Sequence, residues 1–386
     1  MKGHIQQRGD KTWRLKFDVG RHPGTGKRTT NFVTFHGTKR EAQVELARLI
    51  VAAKSGHIVD ANKITVASYL HSWIEIAEAM SVSPKTGERY RQLIEHQIIP
   101  HLGALALQSL RPNHIATWHA TLLREGRCDG AGLCGRTVGH AHRVLHKALA
   151  DAVSRELLLR NPASVVRPPK VESGELAILS PSEVTTVLAA IRETDIWPHI
   201  VFSLSTGVRR GELMALQWGD IDLENGKVRI ERAIEATKSK GLRLKAPKTR
   251  HGRRLIALPP ICVEALREHR KTQLETRLKL GIGKLLPDHS VFGDVEGSPR
   301  HPDWLSYHWN HHVKALDLPR VTLHALRHSH ASALIASGQD VVTVSRRLGH
   351  ASPTITLSVY AHLFDNTDEA AASAIEAVLK PTENKS

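Results

Sequence analysis

The sequence predicts a multidomain chain of α+β class: a small N-terminal β-sheet with one helix, an all-helical middle module, and a mainly α C-terminal domain holding a small antiparallel sheet. Three observations predict it. The hydrophobic period changes from two at residues 13–19 to ~3.6 across residues 66–152. A Pro-rich stretch from Arg160 to Lys170 divides the chain near its middle. The 386 residues exceed one typical domain, and 41% hydrophobic residues can fill more than one core.

The N-terminal module spans residues 1–57. Apolar and polar residues alternate strictly from Trp13 to Val19, the signature of a half-buried strand. His22 to Gly26 has the composition of a turn, and a second strand runs from about Thr30 to Phe35. Thr38 and Glu41 form a capping box, and Ala42, Leu46, Leu49, Ile50 and Ala53 share one helical face that Gly56 can close. Residues 1–60 carry twelve Lys/Arg against five Asp/Glu. So basic a module suits DNA, although a solvated charged surface reads the same way.

Residues 63–160 read as all helix. Val66, Leu70, Trp73, Ala77 and Met80 make one apolar stripe. Ser83-Pro84 opens a helix whose stripe is Tyr90, Leu93, Ile94 and Ile98, with a stop at Pro100 and Gly103. Pro112 opens a third helix, with Ile115, Trp118 and Leu122 facing inward. Val138, Ala141, Leu145, Ala148 and Ala152 form a fourth stripe, backed by Arg136, His140, Arg143 and Lys147 on the outer side. Such a basic helical face can clamp a duplex; a protein-interaction bundle would carry the same pattern. Residues 161–174 form the linker.

The last domain occupies residues 175–386. Ser180 and Glu183 make a second capping box ahead of Val184, Val187, Leu188 and Ile191. Residues 227–234 and 253–258 have strand character, joined by a basic loop that holds Lys238, Lys240, Arg243, Lys245, Lys248 and Arg250. From Thr322 the chain is helical, with Gly338 and Gly349 as stops and Asp340 and Ser352 as caps. Ala371, Ile375, Val378 and Leu379 make a short apolar face on a C-terminal tail helix.

Charge and cysteine usage bound the function. The net charge of +16, from 54 Lys+Arg and 38 Asp+Glu, points to a polyanionic partner, and nucleic acid is the first candidate. No apolar run of transmembrane length, signal peptide or lipidation motif supports a membrane, so a soluble, cytoplasmic protein is expected. The three cysteines, Cys128, Cys134 and Cys262, exclude a disulfide framework. A zinc clip from Cys128, Cys134, His140 and His142 matches no standard spacing. Aromatics make up 4% of the chain, too few for stacking on single strands, so duplex DNA fits better.

The chemistry-bearing residues fall in separated segments. Arg209 follows a Gly-containing turn that opens a helix, and Glu212 three residues on can brace a neighbouring cation. His324 and Arg327, three apart, share a helix face. Two guanidinium groups suit a phosphate because each can bind two of its oxygens. Lys248 lies in a loop that can swing onto a substrate, with Lys240 and Lys245 as rivals. Phosphoryl transfer needs such charge stabilisation with in-line placement of nucleophile and leaving group. Tyr360, ten residues after His350, offers a hydroxyl of pKa near 10 that needs a base or cations to attack phosphorus.

The segments Thr206–Glu212, Lys248, His324-Ala325-Leu326-Arg327, Leu348-Gly349-His350 and Tyr360 together resemble the tyrosine recombinase family, especially phage-type integrases. The resemblance runs along the whole chain. It implies an arm-type DNA-binding domain at 1–57, a helical core-binding domain at 63–160 and a catalytic domain at 175–386. It implies that Tyr360 attacks a DNA phosphodiester to give a 3′-phosphotyrosyl link, with Arg209 and Arg327 on the non-bridging oxygens. Lys248 would be the acid for the leaving 5′-hydroxyl, His324 would assist proton transfer from the tyrosine, His350 would bind the phosphate, and Glu212 would orient its neighbours. His328 and His330 read as structural or backbone-binding groups. Expected DNA contacts are Arg14, Lys16, Arg136, Arg143, Lys147, Lys245 and Arg250. The family needs no metal, ATP or other cofactor. Its implied partners are duplex attachment sites, a homotetramer on two DNA sites, and DNA-bending or directionality factors. The function implied is integration or excision of a phage or mobile element. The alternatives are a non-catalytic, integrase-derived DNA-binding regulator and a relaxing enzyme like a type IB topoisomerase.

Overall fold

Trp13, Leu15 and Phe17 alternate with Arg14 and Lys16 because they project from opposite faces of a strand. The computed structural model describes residues 3–21, 28–54, 64–80, 82–127, 129–171, 178–247, 250–316, 318, 321–363 and isolated positions from 372 to 379. In it this strand is β2 (Thr12–Arg21), paired antiparallel with β1 (Gly3–Gly9) and β3 (Arg28–His36). Helix α1 (Lys39–Lys54) covers the inner face, where Trp13, Leu15, Phe17, Ala42 and Leu46 are buried together. The Thr38 box forms: the Thr38 amide donates to Glu41 Oε2 at 2.7 Å, and the Glu41 amide to Thr38 Oγ1 at 3.3 Å. β1 is an addition to the two strands expected. Its GHIQQRG sequence has one apolar residue, and an edge strand that buries so little leaves no alternation to read. The expected turn at 22–26 and the Gly56 stop lie outside the described residues.

The middle module builds a second core from α2 (Val66–Met80), α3 (Pro84–Leu93), α4 (Ile99–Leu102), α5 (Pro112–Glu125) and α6 (Gly135–Ser154). The expected stripes converge there, and Trp73 and Trp118 are among its largest buried side chains. Met80 is the exception. It ends α2 and is 79% exposed, because the helix outruns the core it packs on. Pro100 also departs from expectation, since the chain stays helical through it to Leu102. A π turn at Ile94–Ile98 precedes it, and α4 restarts with the proline in its first turn, where a missing amide loses nothing. Packing continues into the Pro-rich stretch: Asn161 caps a 3-10 turn, Pro162–Val165, and Ala163 is buried in the same core.

These elements belong to one compact unit, Met1–Ser173, and the rest of the chain to another, Gly174–Ser386. The second unit begins with α7 (Pro181–Ala190), whose Ser180–Glu183 box forms as expected, followed by α8 (Trp197–Thr206) and α9 (Arg210–Leu213). β4 (Ile221–Asp222), β5 (Lys227–Ile230) and β8 (Arg254–Ala257) make one antiparallel sheet in the order β4-β5-β8; β6 (Ala233–Thr237) and β7 (Gly241–Lys245) make a separate hairpin. The single strand expected at 227–234 is thus split at Glu231–Arg232. The expected basic loop is in part β7, which pairs with β6 from Ala233↔Lys245 to Thr237↔Gly241. Gly241, at φ +63, supplies the turn.

Among the described residues the unit continues with helices α10 (Pro260–Leu280), α11 (Pro302–Ala315), α12 (Leu323–Ala336), α13 (Val341–Leu348) and α14 (Pro353–Tyr360). The last three share a small core of Ala331, Ile335, Val344, Leu348 and Tyr360. Asp340 caps α13 by accepting from the Val342 and Thr343 amides at 2.9 and 3.0 Å. The tail helix expected after Tyr360 lies largely outside the described residues. Among the described residues, no helix is long and apolar enough to cross a membrane. No group of His, Cys, Asp or Glu among them is placed to hold a metal, and Cys128 lies outside them.

Candidate active site

The site grows from the C-terminal end of α8. Gly207 ends that helix at φ +63, where a Cβ would come within 2.6 Å of the His330 ring. The turn delivers Arg209 in extended conformation as the residue before α9. Its amide donates to Glu212 Oε2 at 3.0 Å, its Nη1 to Glu212 Oε1 at 2.8 Å, and its Nη2 to the Gly349 carbonyl at 3.2 Å. Arg210 points elsewhere, onto Asp303 of α11 at 2.9 Å. The two adjacent arginines are therefore separated by their partners, and Arg209 is the one turned toward the other site segments.

Glu212 is buried between two guanidinium groups. Besides Arg209 it accepts from Arg254 Nη2 at 2.9 Å, and both the Arg254 and Glu212 side chains are below a tenth exposed. Burial pushes the Glu212 carboxyl up, but Arg254 and Arg209 outweigh it and hold the acid below its usual range. Arg254 also donates to the Arg347 carbonyl at 2.7 Å and the Gly252 carbonyl at 3.0 Å, tying β8 to the end of α13. Nothing in the local sequence pattern assigns Arg254 a role of its own. An arginine beside a strand carries no signal that its charge turns inward.

On α12, Arg327 is 3% exposed. Its Nη1 donates to the Gly207 carbonyl at 2.6 Å, whereas Nη2 is buried with no hydrogen-bond partner among the described residues. Burial, then the neighbouring Arg209, push the guanidinium down to about 9, so it remains charged at neutral pH. His324, one turn earlier, is held below its usual pKa by packing and by Arg327 and Arg209. His350 follows Gly349 and meets Thr356 Oγ1 through Nδ1 at 2.8 Å. Burial and Arg327, Arg209 and Arg254 lower it to about 4, leaving a neutral ring with Nε2 free of that bond.

Tyr360 ends α14 and is 1% exposed. Its hydroxyl lies 2.6 Å from His328 Nδ1. Burial raises the phenol to about 12 against the opposing pull of Arg327. Burial, His324 and Arg327 push His328 down to about 4. The contact of His328 with Tyr360 depends on how α12 crosses α14, which no local pattern reports. Of the other tyrosines, Tyr69 is buried in the helical module and donates to the Ala148 carbonyl at 2.6 Å, and Tyr307 is 70% exposed.

Arg209, Glu212, His324, Arg327, His350 and Tyr360 thus converge within the second unit. Lys248 lies outside the described residues, as does the side chain of Arg250, whose backbone sits in a 3-10 turn. Lys245 is engaged: its ammonium pairs with Glu235 inside the β6–β7 hairpin, as does Arg243 at 3.1 Å. In the first unit, Arg136, His140, Arg143 and Lys147 form an exposed stripe on α6. Arg14 and Lys16 lie over the ring of Phe32, Arg14 at 4.2 Å from its centre and Lys16 at 5.6 Å.

The sequence model of the phage integrase family matches residues 178–367, and that of the phage integrase N-terminal SAM-like domain matches residues 65–123. The chain belongs to the phage integrase family of tyrosine recombinases. This integrase-family chain is 26% identical over 381 residues to a tyrosine recombinase XerC-like protein of Caldanaerobacter subterraneus subsp. tengcongensis, covering 94% of this chain and 95% of the relative. Its fold matches the Tn1549 transposon integrase in complex with a circular intermediate DNA, at a TM-score of 0.67 and 22% identity, covering 81% and 99% of the two chains. It also matches a lambda integrase tetramer bound to a Holliday junction, at a TM-score of 0.57 and 19% identity over 91% and 96%. At these identities the structural likeness is one of fold.

Proposed function

We propose that this tyrosine-type DNA recombinase cuts and rejoins duplex attachment sites through Tyr360, integrating or excising a phage or other mobile element. One observation carries the assignment of the site: the buried, charged Arg327 guanidinium, whose charge acts on the Tyr360 phenol, has an Nη2 with no hydrogen-bond partner among the described residues. A buried donor without an acceptor is costly, and an anionic phosphate oxygen is the partner that relieves it.

In this reading Tyr360 Oη attacks phosphorus and a 5′-hydroxyl departs, leaving a 3′-phosphotyrosyl bond. Arg327 and Arg209 hold the non-bridging oxygens, and His350 donates to the same phosphate. Glu212 fixes Arg209 through its two hydrogen bonds. Lys248 is the acid on the leaving side, and His324 assists proton movement around the nucleophile. The link conserves bond energy, so a 5′-hydroxyl from a partner duplex can reverse the attack. Residues 1–57 act as the arm-type module, 63–160 as the core-binding module with the α6 stripe on DNA phosphates, and 175–386 as the catalytic domain. Four protomers act on two sites, with DNA-bending or directionality factors setting the outcome.

The test is covalent trapping on a nicked attachment-site duplex. A protein–DNA adduct that survives denaturation is expected, and Tyr360→Phe should abolish it while still binding DNA. An adduct that persists in the variant would assign the attack to another residue.

A further inference from the structure

The hydrogen bond at the Tyr360 hydroxyl is made by a residue that none of the roles above uses. His328 Nδ1 stands 2.6 Å from Oη, within the range of a short O–H···N contact. Its ring lies 5.7 Å from the tyrosine ring. His324, one turn back on the same face of α12, meets His328 edge-on, with ring centres 4.9 Å apart.

We propose that His328 is a further catalytic residue, which holds the Tyr360 hydroxyl through Nδ1 and takes its proton as Oη bonds to phosphorus. This rests on the reading of Tyr360 as the nucleophile. The step balances: the Oη–P bond forms, the P–O5′ bond breaks, and the phenolic proton moves to Nδ1. The departing 5′ oxygen takes a different proton, from the acid on the leaving side. In rejoining, the imidazolium returns its proton to the phenolate as it leaves phosphorus.

Three features support the assignment. Both rings are held by the structure: His328 is half-buried on a 14-residue helix, and Tyr360 belongs to the core of α12, α13 and α14. The imidazole is neutral at pH 7, since burial, His324 and Arg327 disfavour its charged form, so Nδ1 can accept from a hydroxyl. The same phosphate that the phenol attacks would also favour the protonated imidazole beside it, while Arg327 already favours the phenolate. As Oη bonds to phosphorus the phenol itself becomes a stronger acid, so the proton passes to Nδ1 as the attack proceeds. Arg327 and His328 are consecutive on α12, so one helix would place both the phosphate clamp and the base.

The experiment compares single-turnover cleavage of a nicked attachment-site duplex by wild type, His328→Ala, His328→Asn and Tyr360→Phe, with DNA affinity measured for each. Asn can offer an amide oxygen near the Nδ1 position but cannot carry a proton, so it separates holding from proton transfer. A second substrate replaces the bridging 5′ oxygen with sulfur, a leaving group that needs no acid. Both His328 variants should bind DNA like wild type and form the Tyr360 adduct about 100-fold or more slowly, the scale of general-base catalysis. Sulfur should rescue neither. Wild-type speed in His328→Asn would reduce the residue to a holding role and overturn the proposal, and rescue by sulfur would move it to the leaving side and do the same. A wild-type adduct that survives Tyr360→Phe would instead sink the parent reading, and the proposal with it.

Discussion

Glu212 shows how much one residue can organise. It is 3% exposed and accepts from Arg209 and Arg254 at once. Removing a buried partner leaves an uncompensated charge, so Glu212→Ala should destabilise the second unit by about 3 kcal/mol or more, read as a fall in the urea midpoint. The burden falls on Arg254, 7% exposed, more than on Arg209, 43% exposed and able to reach water. Arg327→Ala should leave DNA affinity near wild type, because many phosphates share the binding, yet slow cleavage about 10²- to 10³-fold. Unchanged cleavage would remove Arg327 from the phosphate. The spacing of Arg209 to Glu212 and of His324 to Arg327 was legible because each pair lies within one turn. Arg254 and His328 were not, since their partners lie 42 and 32 residues away.

At the scale of elements, the ends of helices set the site. Gly349 closes α13 at φ +70, and a Cβ there would stand 2.8 Å from the Arg254 guanidinium and 3.1 Å from the His251 carbonyl. Gly338, at φ +80, has nothing within 4 Å of its Cβ. Replacing either by Ala should cost about 1–2 kcal/mol for the left-handed backbone. Only Gly349→Ala should also slow adduct formation, because Arg254 must move off Glu212. Equal cleavage in the two variants would show that this helix end serves stability alone. Both glycines were readable as helix stops; the crowding at one of them was not, because Arg254 arrives from a strand. Pro100 teaches the converse. Its local signal says stop, but a preceding π turn lets the chain stay helical, and only packing chooses between them.

For the whole molecule, charge and buried histidines give two expectations. The +16 net charge should make DNA affinity fall steeply with salt, and Arg136→Ala and Lys147→Ala should each reduce the slope of log affinity against log salt by about one if they contact phosphates. Unaltered slopes would take the α6 stripe off the DNA. His142 in the first unit and His330 in the second are buried and lowered to about 4, mainly by burial. Their unfolded forms titrate near 6.5, so unfolding takes up protons between the two values. The stability they contribute is full above pH 6.5 and is lost as pH falls toward 4, by about 1.4 kcal/mol per unit of separation for each histidine. Denaturation midpoints of both units should therefore drop between pH 7.5 and 5; flat midpoints would mean that these histidines charge without unfolding.

What the sequence determined by itself was periodic or local: the alternation of β2, the stripes of α2, α5 and α6, the capping boxes at Thr38 and Ser180, and the order of the site segments. Each is a relation between residues a few positions apart, and chain geometry alone turns it into a face or a cap. The tertiary structure decided the rest. It paired the polar β1, broke the strand at Glu231–Arg232, committed Lys245 to Glu235, turned Arg254 inward and set His328 against Tyr360. These outcomes depend on which elements pack together, and burial gives a charge or a hydroxyl a partner that its own neighbours in sequence do not name.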